Sequence, residues 1–147
     1  MKLSTKARYG TRALLELALR NGSTPVSLRD IAGRQQISLS YLEHLISPLI
    51  AGGIVRSTKG PGGGISLTRK PSEIKLSEVI QLLEGSVAPV DCVDNPAICD
   101  RSSSCVTRDI WCELKDVMSE VLESTTLQDL VEREKEKKGV KEEMYYI

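Results

Sequence analysis

A succession of short capped helices followed by a glycine-rich hairpin constrains the fold of this chain more than any other feature. Short helical patterns begin after Ser27 and after Ser38, and a tight polar turn separates them; serine is a typical N-cap residue at such positions. Pro48 predicts a kink or an early end within the second of these two helices. Two β-rich segments, 54–58 and 65–68, then flank the loop 59–64, which holds four glycines. A hairpin directly after a helix-turn-helix predicts a winged helix.

The remaining segments add helices before and after this unit. Apolar periodicity predicts a first helix over 4–20, a helix over 76–83, a long helix from about 106 to 123 and a short last helix that starts near Thr126. Residues 86–104 lack periodicity and read as a loop. The fold class is therefore mainly α with a small β-hairpin: a winged helix-turn-helix plus a long dimerisation helix.

The net charge of zero hides a division between the two halves of the chain. Residues 1–75 contain 12 Lys or Arg against 4 Asp or Glu, a net charge of +8. Residues 76–147 contain 8 Lys or Arg against 16 Asp or Glu, a net charge of −8. This asymmetry indicates that the first half is the part that meets a polyanion.

The helix after Ser38 is the predicted DNA-reading element. Its apolar residues should pack inward, which turns its polar residues outward, and a helix of this kind contacts base edges near its N-terminus. Basic residues of the first helix and of the hairpin are expected to neutralise phosphates. The predicted DNA-binding residues are Lys6, Arg8, Arg12, Ser38, Ser40, Tyr41, Glu43, His44, Arg56 and Lys59.

The long helix over 106–123 carries an apolar stripe that one small domain does not need. The stripe comprises Ile110, Leu114, Val117, Met118 and Val121. We expect it to pair with its copy in a twofold homodimer, which would set DNA half-sites about one helical turn (~34 Å) apart.

All four cysteines of the chain lie within 21 residues, from Cys92 to Cys112. Charged residues interrupt the only apolar run near the N-terminus, so we expect a cytoplasmic protein, in which stable disulfides are rare, and no membrane partner. The spacing Cys-x6-Cys-x5-Cys-x6-Cys lacks the close pairs of structural zinc sites, whereas iron–sulfur centres tolerate wider loops. Spacing alone leaves an iron–sulfur cluster, zinc and free thiols open.

Several motifs resemble one family of regulators. The segments KLSTKARYG, ISLSYLEHL and GPGGG, and the cysteine loop followed by DIW, are similar to the iron–sulfur cluster regulator (IscR) family of winged-helix repressors. The resemblance implies a dimeric bacterial regulator whose cluster, 2Fe-2S ahead of 4Fe-4S, is held by Cys92, Cys99 and Cys105. The ending LESTTLQDL…MYYI is also similar to the cysteine metabolism repressor (CymR) branch, which lacks this cysteine set.

Two positions depart from the IscR pattern. Arg108 stands where the family has a histidine as fourth cluster ligand, and arginine cannot bind a metal because it stays protonated. The fourth ligand is therefore open between Cys112, a carboxylate and a group of the partner subunit; Cys112 is equally compatible with a core position behind Trp111. Lys59 stands where the family has an arginine before the wing glycines, and lysine lacks the planar fork for bidentate guanine contact.

Together these features predict a cytoplasmic, dimeric repressor that binds double-stranded operator DNA and senses iron–sulfur or redox status through its cluster. The alternative is a cysteine-metabolism-type repressor controlled by a partner protein, such as a metabolic enzyme, with thiols or zinc instead of a cluster. An enzyme is not expected, since the single histidine lies on the DNA-facing helix, away from the cysteines in sequence. The expected organisation is a winged helix-turn-helix domain (1–85), a cysteine-rich cluster-binding loop (86–105), a dimerisation helix with a short C-terminal helix (106–131) and a charged tail (132–147).

Overall fold

The computed structural model describes residues 2–20 and 22–146. Within these residues the chain forms seven α-helices and two β-strands, in the order α1 (Thr5–Leu19), α2 (Leu28–Gln35), α3 (Leu39–Ala51), β1 (Val55–Thr58), β2 (Gly64–Leu67), α4 (Leu76–Leu83), α5 (Asp91–Asp94), α6 (Val106–Ser124) and α7 (Leu127–Tyr145). Short 3-10 helices lie at Pro71–Glu73 and Pro96–Ile98. The segment expected to be an aperiodic loop thus contains α5 and a 3-10 helix.

Serine caps place the helix-turn-helix where the sequence predicts it. The hydroxyl oxygen of Ser27 accepts a hydrogen bond from the backbone N–H of Asp30 at 3.2 Å, and that of Ser38 accepts from the N–H of Tyr41 at 3.1 Å. These bonds satisfy backbone donors that would otherwise be unpaired in the first turn. Of the two expectations for Pro48, an early end of α3 is wrong, because the helix continues through it to Ala51, and a kink there stays a prediction.

The hairpin completes a winged helix, as predicted. Strands β1 and β2 pair antiparallel, with Val55 opposite Leu67, and Val26 adds a short bridge to Ile65 on the other edge of β2. Gly64 allows this approach, since a Cβ atom there would lie 2.2 Å from the carbonyl oxygen of Val26. The wing is therefore attached to the segment that leads into α2.

The C-terminal helix packs into the same core as the N-terminal helices. Leu127 and Val131 of α7 are buried in a cluster with Leu14 and Leu17 of α1. The expectation of a short helix followed by a charged tail is wrong in length, because α7 runs on to Tyr145. Charge pairing between successive turns supports such a helix, as in the contact of 3.2 Å between Lys138 and Glu134.

Helix α6 is only partly covered by the rest of the chain. It packs against α4 and α5, and none of its side chains is fully buried. Val117 and Val121 of the predicted stripe are 59% and 58% exposed. None of the helices in 2–20 and 22–146 combines the length and hydropathy that a bilayer-spanning segment needs.

Candidate DNA-binding surface and cysteine segment

Helix α3 presents polar side chains on the face opposite the core. Leu42, Leu45 and Leu49 are buried, which fixes the inward face. The side chains predicted to read bases are exposed, except that Tyr41 is half-buried; they are Ser38, Ser40, Tyr41, Glu43 and His44. The arrangement leaves the first two turns of α3 free to enter a major groove.

Two residues of this set also have local surroundings that affect what they can bind. The Ser38 oxygen accepts the capping bond from Tyr41, so its hydroxyl hydrogen is left to donate to a phosphate or a base. Glu43 lines a shallow groove together with Leu28 of α2 and Ser57 of β1. The carboxylate of Glu43 therefore lies on the side of α3 that faces the hairpin.

The predicted phosphate-binding side chains are exposed. In the part of the chain that the structure describes, none of them forms an ion pair; they are Lys6, Arg8, Arg12, Arg56 and Lys59. Their positive charge is thus available to a polyanion. Near Lys59, Gly60 and Gly62 have φ angles of 92° and 74°, which gives the wing a tight tip.

Arg12 also connects α1 with the C-terminal end of α2, a contact that the sequence does not predict. Its Nε donates to the side-chain oxygen of Gln35 at 2.7 Å, and its Nη2 donates to the Gln35 carbonyl at 3.2 Å. The Gln35 side-chain nitrogen in turn donates to Glu16 at 2.8 Å. Gln35 therefore holds a predicted DNA-binding arginine in place.

Sequence reasoning missed Tyr9, whose ring lies between α1 and α3. The ring meets that of Tyr41 edge to face, with centroids 6.2 Å apart, and the guanidinium groups of Arg8 and Arg12 lie 5.8 and 5.1 Å from its centroid. The available signal was spacing, because Tyr9 precedes Arg12 by three residues and shares a helix face with it.

The four cysteines follow one another along the 86–105 segment and α6. Cys92 lies in α5, Cys99 directly follows the second 3-10 helix, Cys105 directly precedes α6 and Cys112 lies within α6. All four are free thiols of intermediate exposure. Among the described residues, no three His, Cys, Asp or Glu side chains come together as a metal site. In this conformation Cys92, Cys99 and Cys105 thus form no site for a single metal ion.

Cys105 is the thiol with the most distinctive electrostatic surroundings. Its sulfur lies 3.2 Å from the hydroxyl oxygen of Thr107. The Thr107 hydroxyl, followed by the backbone N–H of Arg108, lowers the pKa of the Cys105 thiol from its ordinary value. A thiolate is the form that binds metals and reacts with oxidants, so this position at the start of α6 suits either chemistry.

Two side chains of α6 attach α5 to it. The Arg108 Nε donates to the carbonyl oxygen of Cys92 at 2.9 Å, and the Lys115 Nζ lies 2.5 Å from a carboxylate oxygen of Asp94. Residues 108 and 115 are two turns apart on α6, so they project from one face. The arginine that replaces the family's histidine therefore holds the backbone of a cysteine in this conformation.

Comparisons with known proteins place the chain in a family. Residues 3–133 match the Rrf2 family, described as iron-dependent transcriptional regulators. The chain is 44% identical to the protein rrf2 of Nitratidesulfovibrio vulgaris over 131 residues, which cover 89% of this chain and 87% of that protein.

Solved structures are similar over nearly the same span. The global cysteine regulator CymR of B. subtilis superposes with a TM-score of 0.76 at 38% identity, over 90% of this chain and 98% of that one. IscR of T. potens superposes with a TM-score of 0.74 at 40% identity, over 90% of this chain and 88% of that one. The chain therefore belongs to the Rrf2 family of winged-helix transcriptional regulators.

Proposed function

We propose that this protein is a homodimeric, operator-binding repressor that senses iron–sulfur or redox status through a cysteine-ligated cluster. The observation that carries DNA binding is the exposed polar face of α3 beside five exposed basic side chains without ion-pair partners in the described residues. We also propose that the protein is cytoplasmic, because bacterial operator DNA lies in the cytoplasm.

The cluster proposal rests on the chemistry of the donor set. Cys92, Cys99 and Cys105 offer three thiolates within 14 residues, and thiolates are the preferred ligands of iron–sulfur clusters. The described residues hold no group of three donors placed for a single metal ion, and a cluster holds its sulfur ligands further apart than one ion does. The Arg108 Nε donates to the Cys92 carbonyl in this conformation, so this bond attaches the backbone of one proposed ligand to α6. A bound cluster, 2Fe-2S ahead of 4Fe-4S, would supply redox sensitivity; the fourth ligand is Cys112, a carboxylate or a group of the partner subunit.

The fold offers a physical connection between the cysteine segment and the DNA-binding helices. Helix α5 contacts α6, α6 packs against α4, and α4 contacts both α1 and α3. A change in the position of α5 would thus act on the proposed dimer helix, and through α4 on the two helices that carry the DNA-binding residues. We propose that the state of the cysteines alters operator affinity by this route.

The alternative function is a repressor controlled by a partner protein, such as a metabolic enzyme, with free thiols or zinc. The Thr107 hydroxyl beside the Cys105 sulfur and the lowered pKa of that thiol support this second candidate, because they suit a reactive thiol as well as a ligand. Similarity to both IscR and CymR favours neither candidate.

Metal content separates the two candidates. The protein is purified without oxygen, and its iron, sulfide, zinc and visible absorption are measured. Iron and sulfide in equal amounts with charge-transfer bands, lost in the Cys92→Ala, Cys99→Ala and Cys105→Ala variants, support the cluster. Free thiols or zinc, together with a copurifying enzyme, support the alternative. Operator affinity that is the same with and without the cluster, at every selected site, contradicts cluster sensing.

Sequence reading by α3 is tested by selecting duplexes from a random DNA pool. Glu43→Ala should relax the base preference, because a carboxylate accepts hydrogen bonds from cytosine amino groups. Lys59→Ala should weaken binding about equally for all sequences and lower the salt slope of the affinity by about one. Lys137→Ala, a change at an exposed lysine of α7, is the control. An unchanged preference in the Glu43 variant would count against insertion of α3 into the groove.

A further inference from the structure

The ring of Tyr9 contacts Arg8 and Arg12, two predicted phosphate-binding residues of α1, and Tyr41, a predicted base-reading residue of α3. Both guanidinium groups lie within 6 Å of its centroid, a range in which a cation is attracted to an aromatic ring. The edge-to-face contact with Tyr41 has an angle of 87° between the ring planes. This is a favoured geometry for two aromatic side chains, so it fixes their relative orientation.

The attachment of Arg12 to Gln35 makes the arrangement more rigid. Gln35 is the last residue of α2, and both its side-chain oxygen and its backbone oxygen accept hydrogen bonds from Arg12. Arg12 therefore contacts both the Tyr9 ring and the C-terminal end of α2. Arg8 and Arg12 lie four residues apart on α1, where two like charges repel each other. The attraction of both guanidinium groups to the Tyr9 ring offsets this repulsion.

We infer that Tyr9 is a positioning residue for DNA binding: its ring fixes Arg8 and Arg12 relative to Tyr41 on α3. The inference deepens the proposed function and rests on it, since the arginines have this role only if the protein binds DNA. Phosphate contacts set the register of a protein on the duplex, whereas base contacts read the sequence. Tyr9 is the residue that joins the two sets of contacts.

The salt dependence of binding gives a readout that a purely structural role does not move. Each phosphate that a basic side chain neutralises contributes about 0.9 to the slope of the logarithm of affinity against the logarithm of salt concentration. A substitution of Tyr9 changes no charge. If Tyr9 positions the arginines, its loss should nevertheless lower the slope, because misplaced guanidinium groups no longer neutralise phosphates.

The test compares Tyr9→Leu with Tyr9→Phe on a duplex that the wild-type protein selects from a random pool. Tyr9→Leu, which keeps an apolar side chain but removes the ring, should bind about three- to tenfold more weakly, with a salt slope smaller by about one. Tyr9→Phe keeps the ring and should match the wild type in slope. Tyr145→Leu, at an exposed tyrosine of α7, is the matched control, and thermal unfolding reports the folded fraction of each variant.

Each outcome decides between defined alternatives. A Tyr9→Leu variant with wild-type affinity and slope overturns the inference alone, as does a loss of affinity with an unchanged slope. A Tyr9→Phe variant as weak as Tyr9→Leu also overturns it, because the hydroxyl would then be the active group. A wild-type protein that selects no duplex overturns the proposed function and the inference with it.

If Tyr9→Leu loses stability, a comparison in a second background distinguishes an effect on the arginines from a general loss of folded protein. In a background that carries both Arg8→Ala and Arg12→Ala, adding Tyr9→Leu should cost less affinity than in the wild type and leave the salt slope unchanged, because only the contact with Tyr41 remains. A full additive loss in that background would show that Tyr9 acts through some other group.

Discussion

Glu123 joins the end of α6 to the start of the α4 segment through both oxygens of its carboxylate. One oxygen lies 2.5 Å from the Lys75 Nζ, and the other accepts from the Ser77 hydroxyl at 2.6 Å. The hydrogen bond from Lys75, followed by that from Ser77, lowers the pKa of Glu123 from its ordinary value of 4.5. The contact matters because α4 lies between α6 and the DNA-binding helices.

The lowered pKa fixes the sign of a pH-dependent stability contribution. A carboxylate with a lower pKa in the folded state stabilises that state fully above its ordinary pKa and loses the contribution as the pH falls through the folded value. Glu123→Gln should therefore lower the melting temperature by about 1–3 °C at pH 7. The difference from wild type should shrink as the pH falls below the ordinary glutamate pKa.

Thermal melts from pH 7 down to pH 3.5 check this prediction. Glu142→Gln, at an exposed glutamate of α7, is the control and should melt like the wild type. A deficit of the Glu123 variant that stays constant from pH 7 to pH 3.5 would mean that the shape of the side chain, and not its charge, stabilises the contact.

For single residues, the sequence predicts solvent exposure better than it predicts contacts with other residues. Periodicity correctly places Ser38, Ser40, Glu43 and His44 on the outside, because burial follows from the helical repeat. It does not identify the contacts of Tyr9 or of Arg12, since these depend on how α1 crosses the turn between α2 and α3. Contacts between distant segments are a property of tertiary packing, which one sequence does not encode in a local pattern.

Gly64 allows strand β2 to form its bridge to Val26 at the edge away from β1. A Cβ atom at Gly64 would lie 2.2 Å from the Val26 carbonyl oxygen and 2.4 Å from its carbonyl carbon, both of which are backbone atoms. Gly64→Ala should therefore separate β2 from Val26 and reduce the free energy of unfolding by about 2 kcal/mol or more. Urea denaturation measures this change.

Gly33→Ala is the matched control for the Gly64 variant. Gly33 lies inside α2 with no atom within 4 Å of the Cβ position, so alanine there should stabilise the protein by about 0.5–1 kcal/mol. Equal effects of the two substitutions would contradict the packing argument for the wing.

The attachment of α5 to α6 predicts local opening of the cysteine segment. Lys115→Met removes the contact with Asp94 and leaves the Arg108 bond to the Cys92 carbonyl in place. We expect hydrogen exchange of residues 91–105 to rise about two- to fivefold, because one of two attachments is lost. Mass spectrometry of peptides from this segment measures the rate.

Lys138→Met provides the comparison, since it removes an ion pair within α7 and should leave exchange over 91–105 unchanged. Unchanged exchange in the Lys115 variant would show that the Arg108 bond and local packing suffice to hold α5.

Helix α7 shows where prediction of elements from the sequence fails. Leu127, Leu130 and Val131 correctly predict a helix that begins near Thr126. The charged residues that follow lack an apolar face, which is why the sequence predicts a solvated tail after 131. The helix nevertheless continues to Tyr145, and its first turns are anchored in the core against α1. Once a helix is nucleated by packing, each further residue costs little, so a polar extension persists.

At the scale of the whole molecule, one surface of α6 still lacks a partner. Its exposed apolar side chains include Val106, Ile110, Val117 and Val121, a helical series that a single chain leaves in contact with water. Exposed apolar patches of this kind mark interaction sites. A second copy of the chain would cover the series symmetrically and would bring two copies of α3 to one duplex.

Val121→Glu tests this assembly. The side chain is 58% exposed in the single chain, so a glutamate there should leave the fold intact while placing two like charges in the interface of a dimer. We expect sedimentation to show a dimer for the wild type and a monomer for the variant. Operator affinity should fall at least about tenfold, because a monomer engages one half-site at a time. Val140→Glu alters an equally exposed valine of α7 and should remain dimeric. A dimeric Val121 variant with wild-type operator affinity would place the interface elsewhere and would remove α6 from the proposed route between the cysteines and DNA.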